Sequence, residues 1–231
     1  QASSTNFPLI LAVKVIDGLP STPELIKLRR DMIENIKKGV NLLNKYECKE
    51  GSGFEWFGKA PCHSTLSAYG LWQFIELDSL KISPPLFERS LLYKLNGFLA
   101  NSRDEEGGFK ITKRLDSLGN PEKEVSDMYI TFVLSLRYNE NKYMFKKQFD
   151  IILKQYQKFV SDKDSLDSYK LAILRLFMVN TENKSAAKDI ATVLVSRQEK
   201  DTGQILKAKS SITKSSGLSL SIETTALTLM L

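Results

Sequence analysis

Residues 50 to 70, EGSGFEWFGKAPCHSTLSAYG, contain the one histidine of the chain and one of its two cysteines, with two large aromatics side by side among glycines and a proline. An imidazole is the side chain best suited to carry a proton near neutral pH. His63 stands directly before STLSAYG, where a helix N-terminus presents free amides. It therefore reads in two ways, as a proton carrier or as a polar residue that satisfies the helix start. Cys48 and Cys62 flank the aromatic pair Trp56 and Phe57. In an oxidising compartment that spacing suits a disulfide stapling the loop, whereas in a reducing one the pair would remain two thiols. One His and two Cys offer at most three ligands, and Cys48, Cys62 and His63 match no zinc spacing, so neither a metal nor any other cofactor is expected. Asn183, in NKS, fits the three-residue acceptor pattern for N-glycosylation, a pattern of low information.

These residues need a scaffold. The chain has 231 residues, long for an average domain, but one all-helical ring can close that many around a single core, so one domain over 1–231 is expected. A content of 42% hydrophobic and 26% charged residues is that of a soluble globular chain, and no apolar run approaches the roughly 20 residues that cross a bilayer. No membrane insertion is expected. The opening QASSTNFPLILAVKVIDG lacks a basic leader and a small-residue cleavage site, and ETTALTLML stops inside a helical pattern, which suggests a segment excised from a larger protein. The formal charge of +6 raises the question of nucleic acid, but the lysines are spread at the helical spacing of solvated faces rather than gathered among aromatics. No nucleic-acid partner is expected.

Apolar residues recur with a 3.6-residue period along most of the chain. Leu25, Leu28, Met32, Ile36, Val40 and Leu43 lie on one stripe, with Pro23 in the first turn, which predicts a helix over residues 22–46. Similar patterns predict helices over about 8–16, 66–77, 85–101, 125–138, 143–160, 166–179, 185–197 and 220–231. No period-2 run is long enough for a sheet strand. The expected class is all-α.

Three linkers are built alike: EGSGFEW, EEGGFKI and DTGQILK each carry an acidic or polar lead and a glycine turn. Gly53, Gly108 and Gly203 leave room for one weaker unit between the second and third, where KDSLDSYKLAIL starts a helix without the glycine turn. Each linker leads into a helix rich in small or hydroxylated residues, as in STLSAYGLWQF, SDMYITFVLSL and IETTALTLML, which would pack closely as inner helices. Lysine-rich amphipathic helices between them would form an outer layer. An outer–inner repeat of roughly 50 residues predicts a toroid of helical hairpins, since no unit buries its apolar face alone.

Four blocks in order carry a resemblance. QASSTNFPLILAVKVID resembles the segment that follows the reactive cysteine in the α-macroglobulin and complement thioester proteins, with Gln1 at the spacing from Pro8 of the family's Cys-x-Glu-Gln glutamine. GSGFEWFGKAPCHSTLSAYGLWQF resembles the family's glycine–aromatic loop and the inner helix after it. EEGGFKITKRLDSLGNPEKEVSDMYITFVL is similar to the next block, and SIETTALTLML to a later inner helix. The resemblance covers nearly the whole chain and implies an α/α toroid, the thioester-containing domain of an extracellular multidomain protein.

What the resemblance implies for the residues is specific. The side-chain carbonyl of Gln1 would be the acyl group of the thioester, with the cysteine three positions earlier, outside this sequence. Trp56 and Phe57 would shield the bond from water until activation. Family members that label hydroxyls use a histidine in the loop corresponding to TKRLDSLGNPEKE; here Asp116, or Arg114, occupies that neighbourhood, which predicts direct attack by amines such as lysine side chains. The partners implied are proteases or surface amines, held covalently without turnover, and neighbouring macroglobulin β-domains of the same protein. Two other classes share the helical-ring plan. One is a thioester-free ring that serves as a protein-interaction module. The other is a ring enzyme of the terpene-cyclase or prenyltransferase kind, for which DKDSLDS is a poor substitute for an aspartate-rich metal motif.

Overall fold

The computed structural model describes residues 2–48, 52–55, 57–110 and 121–230. Among these residues the fold is all-α: ten α-helices and a single 3-10 turn, with β pairing limited to three isolated antiparallel bridges. None of the helices is long and apolar enough to cross a membrane. The helices group into two compact units, Gln1–Asn101 and Ser102–Leu231.

The first unit holds α1 (Ala2–Asp17), α2 (Pro23–Leu43) with the 3-10 turn Asn44–Tyr46, α3 (Ser64–Ser79) and α4 (Ser90–Asn101). Thr22 caps α2, its Oγ1 accepting from the Leu25 N–H at 3.3 Å, and Pro23 fills the first position, where a missing N–H costs nothing. The α2 stripe buries Ile36, Val40 and Leu43, while Leu28 of the same expected stripe stays exposed. Helix α1 packs against both α2 and α3, burying Ile10 and Val13 fully. Phe7 meets Tyr69 and Trp72 of α3 edge-on, with ring centroids 5.6 and 5.1 Å away.

The second unit holds α5 (Lys123–Ser135), the one-turn α6 (Tyr138–Asn141), α7 (Lys146–Ser161), α8 (Ser168–Asn180), α9 (Lys184–Ser196) and α10 (Gly217–Leu229). Helix α8 is its centre, with α5, α9 and α10 packed around it. Helices α5 and α8 are apolar on nearly every face and are buried accordingly, whereas α7 and α9 bury one stripe and turn lysines outward. Helix α10 departs from the expected inner role: Leu220, Thr224 and Leu227 are buried, but Leu218, Ile222 and Leu229 are exposed.

Each predicted helix is present, with three boundary corrections. Helix α1 begins at Ala2 rather than Pro8, and Pro8 sits inside it. There the contacts of Phe7 and Ile10 outweigh the preference of proline for the first helical position. Helix α4 begins at Ser90 rather than Pro85, because a residue before proline is pushed out of the helical region and Pro84 precedes Pro85. The predicted 125–138 helix ends at Ser135, and the chain turns before α6.

Candidate functional site

The loop singled out in the sequence is tied down at several points. Cys48 and Cys62 form a disulfide with Cα atoms 5.9 Å apart. The loop pairs back onto the segment that enters it: Glu47 pairs with Phe54 in an antiparallel bridge, the Cys48 N–H donates to the Gly53 carbonyl at 2.8 Å, and the Glu55 N–H donates to the Tyr46 carbonyl at 3.1 Å. Glu55 is itself buried, and its carboxylate accepts from the N–H groups of Phe57 at 2.7 Å and Lys59 at 3.2 Å. A buried carboxylate with two backbone donors fixes the far side of the loop as the disulfide fixes its base.

Phe54 is the anchor. It is only 4% exposed, its N–H donates to Ser67 Oγ of α3 at 2.8 Å, and its ring stacks on Phe74 at 6.1 Å. The ring lies so close over Gly70 that a Cβ there would stand 2.6 Å from Phe54 Cδ2, so glycine is required at that position. Sequence pattern points to the adjacent Trp56 and Phe57 rather than to Phe54; the signal for Phe54 is a Gly-Phe step paired with a glycine about two turns into the next helix.

His63 is the N-cap of α3. Its Nδ1 accepts from the Leu66 N–H at 3.3 Å, and its own N–H donates to the Phe54 carbonyl at 2.8 Å. Of the two roles left open by the sequence, the observed geometry is that of the helix-start residue. Further along the same helix, Ser3 of α1 donates to Gln73 Oε1. Ten residues of helix separate His63 from Gln73, about 15 Å of axis at 1.5 Å per residue, so the start of α1 is held well along α3 from the imidazole. Phe57 is 71% exposed, so the second of the two expected shielding rings does not plug the core. Gln1, Trp56 and Asp116, together with Arg114, lie outside the described residues. Asn183 is exposed at the start of α9, and its Nδ2 donates to the carbonyl and hydroxyl oxygens of Thr181.

The other two glycine linkers repeat the first. Arg103 pairs with Phe109 and Gln198 with Ile205, each in one antiparallel bridge, and Phe109 and Ile205 are as buried as Phe54. In each case the N–H of that buried residue donates to a side chain of the helix that follows: Phe109 to Asp127 Oδ1 of α5 at 2.9 Å, and Ile205 to Thr225 Oγ1 of α10 at 2.9 Å. Ser67, Asp127 and Thr225 are thus equivalent residues. The fourth linker, before α8, lacks the glycine turn and is held by Arg197 instead. The buried guanidinium donates to the carbonyls of Lys163 and Leu166, each at 3.0 Å, to Asp164 Oδ1 at 3.0 Å and to Ser168 Oγ at 3.4 Å.

The second linker also carries a cluster of charged side chains. Asp104 Oδ1 accepts from the N–H groups of Gly107 and Gly108, while Lys123 Nζ donates to Asp104 Oδ2 at 2.7 Å, Asp127 Oδ2 at 2.8 Å and the Phe109 carbonyl at 3.3 Å. Burial works against ionised Asp104, but the Lys123 ammonium and the two glycine N–H groups outweigh it and hold the carboxyl below its ordinary range. Burial likewise opposes the Lys123 charge, and its two aspartate partners overcome that and raise it. Asp127 goes the other way: burial raises it, and Lys123 and the Phe109 N–H offset that only in part.

Among the described residues no group of three or more His, Cys, Asp or Glu is placed to hold a metal ion. Neither the family models nor the curated proteins contain a match to this chain.

Proposed function

We propose that the chain is the thioester-containing domain of an α-macroglobulin-like protein, a covalent trap that captures amines of proteases or target surfaces through the acyl group of Gln1. The observation that carries this reading is the repeated linker. Three glycine loops each send one backbone N–H to an equivalent residue of the next helix, Ser67, Asp127 and Thr225, and Arg197 braces the fourth linker. Such a repeat of helix pairs is what an α/α toroid requires. The four sequence blocks that resemble the thioester family fall on α1, on the first loop with α3, on the second loop with α5, and on α10.

The chemistry follows from the residues. A thioester acyl group is attacked by an amine nitrogen; the carbon–sulfur bond breaks, the amide forms on Gln1 and the proton ends on the released thiolate of the cysteine three positions earlier. With no histidine in residues 111–120 to act first as a nucleophile, the incoming group must itself be a good nucleophile, which favours amines over hydroxyls. The Cys48–Cys62 disulfide is consistent with an extracellular protein, and secretion belongs to the proposal. The experiment is methylamine treatment of the full-length protein followed by thiol titration. Release of one new sulfhydryl per chain supports the reading, and an unchanged thiol count removes it in favour of a thioester-free interaction module.

A further inference from the structure

Of the asparagines in the chain, Asn183 alone is followed by a residue other than proline and then by Ser or Thr, as Asn183-Lys184-Ser185. A glycan on an asparagine needs room in solvent, and the side chain that carries it must not be needed by the fold. The turn between α8 and α9 meets both conditions.

Room comes first. Glu182, Asn183, Lys184 and Ser185 are four consecutive exposed residues, and burial resumes only at Ala186 and Ala187. The backbone here is held without help from the asparagine side chain. The Glu182 N–H donates to the Val179 carbonyl at 3.0 Å and the Asn183 N–H to the Met178 carbonyl at 2.8 Å, with Glu182 at φ +62°. That pair of bonds around a left-handed residue closes α8 by satisfying its last carbonyls. The Asn183 carbonyl then accepts from the Ala187 N–H at 3.0 Å, which opens α9, and the Asn183 side chain makes no capping bond.

The side chain itself only donates Nδ2 to Thr181 Oγ1 at 2.9 Å and to the Thr181 carbonyl at 3.2 Å. A substituted amide keeps one N–H, so one of these bonds survives and the partner of the other turns to water at an exposed position. The Cys48–Cys62 disulfide is consistent with the oxidising route along which such a group is added.

We propose that Asn183 carries an N-linked oligosaccharide. The co-substrate class is an oligosaccharide esterified to a lipid diphosphate. Asn183 Nδ2 forms a bond to the anomeric carbon, the bond from that carbon to the diphosphate oxygen breaks, the lipid diphosphate leaves, and the Nδ2 proton goes to a base of the transferase. The inference rests on the extracellular part of the proposed function and not on the thioester.

The test is peptide mapping of the full-length protein, purified from its source, after peptide N-glycosidase treatment in heavy-oxygen water, which leaves a labelled carboxyl wherever a glycan stood. The expected result is label at residue 183 and loss of the glycan mass from its peptide. In full-length protein expressed through a eukaryotic secretory route, Asn183→Gln and Ser185→Ala should each abolish the modification of that peptide. Residue 183 unlabelled in protein from the source, or label that survives in Ser185→Ala and so reports spontaneous deamidation, would overturn the proposal. Thiol release by methylamine on the same sample tests the thioester separately.

Discussion

Replacing Arg197 with Met should remove the brace that stands in for a glycine turn before α8. The guanidinium is 4% exposed and makes four hydrogen bonds to the 163–168 segment. Its ion pair with Asp164 contributes little, because that carboxylate is 80% exposed and such pairs are worth about 0–1 kcal/mol. The carbonyls matter more. Leu166 is buried, so its carbonyl loses a charged donor, at a cost of about 1–3 kcal/mol. Lys163 is exposed, and its carbonyl regains water. Methionine keeps most of the apolar stem contact and relieves the desolvation of the charge. The net expectation is a loss of about 2 kcal/mol, or roughly 4 to 8 °C in melting temperature for a chain of this size. Urea denaturation gives the free energy, and hydrogen exchange at Ser168, whose N–H donates to the Lys207 carbonyl, reports whether the loop itself has opened. Arg197→Lys, which keeps the charge but loses the fork, should fall between the two. A loss below about 1 kcal/mol with unchanged exchange at Ser168 would refute the bracing role.

Further outcomes follow from the same contacts. His63→Ala should cost about 1 kcal/mol by removing the α3 cap, and His63→Asn should restore most of it. If His63→Asn keeps stability but slows amine capture, the imidazole carries a proton after all. Opening the Cys48–Cys62 bridge by Ser substitution should cost about 3 kcal/mol by the chain-entropy estimate, read by denaturation. In acid, Asp104 and Asp127 oppose each other. Asp104, held low in the fold, contributes stability above the ordinary carboxylate range that is lost as pH falls through it; Asp127, raised in the fold, regains stability as it takes up a proton. Asp127→Asn keeps an acceptor for the Phe109 N–H and removes that compensation, so stability should fall more steeply between about pH 5 and 3 than in the parent; equal slopes would contradict the assignment. Asp116→His, in the full-length protein, should shift labelling from amines toward glycerol and sugar hydroxyls, with unchanged amine preference as the contrary result.

Much of the fold was legible because burial writes itself into period. The stripe of α2 and the nearly continuous apolar runs of α5 and α8 identified these helices, and the three glycine linkers pointed to equivalent loops. The boundaries were not legible where tertiary contact decides them, as at α1, where Phe7 packing against Tyr69 and Trp72 carries the helix back through Pro8. The anchor of the first loop is harder to read: the adjacent large aromatics draw attention to Trp56 and Phe57, of which Phe57 is exposed, while the anchoring ring is Phe54, signalled in the sequence only by a Gly-Phe step and the later Gly70, and recognised as the anchor once Gly70 and Ser67 lie against it. Arg197 could not be found from sequence, because its partners are mainly backbone carbonyls some thirty residues away, and carbonyls leave no trace in side-chain pattern.

The central claim concerns one atom, the side-chain carbonyl carbon of Gln1, and deuterated methylamine tests it at that atom. The full-length native protein is treated with the labelled amine, digested and mapped by mass spectrometry, with a heat-denatured sample alongside. The account predicts the deuterated methyl group on the Gln1 side chain of the native protein and none in protein unfolded before labelling. An unlabelled Gln1, or label spread over other glutamines, would contradict it.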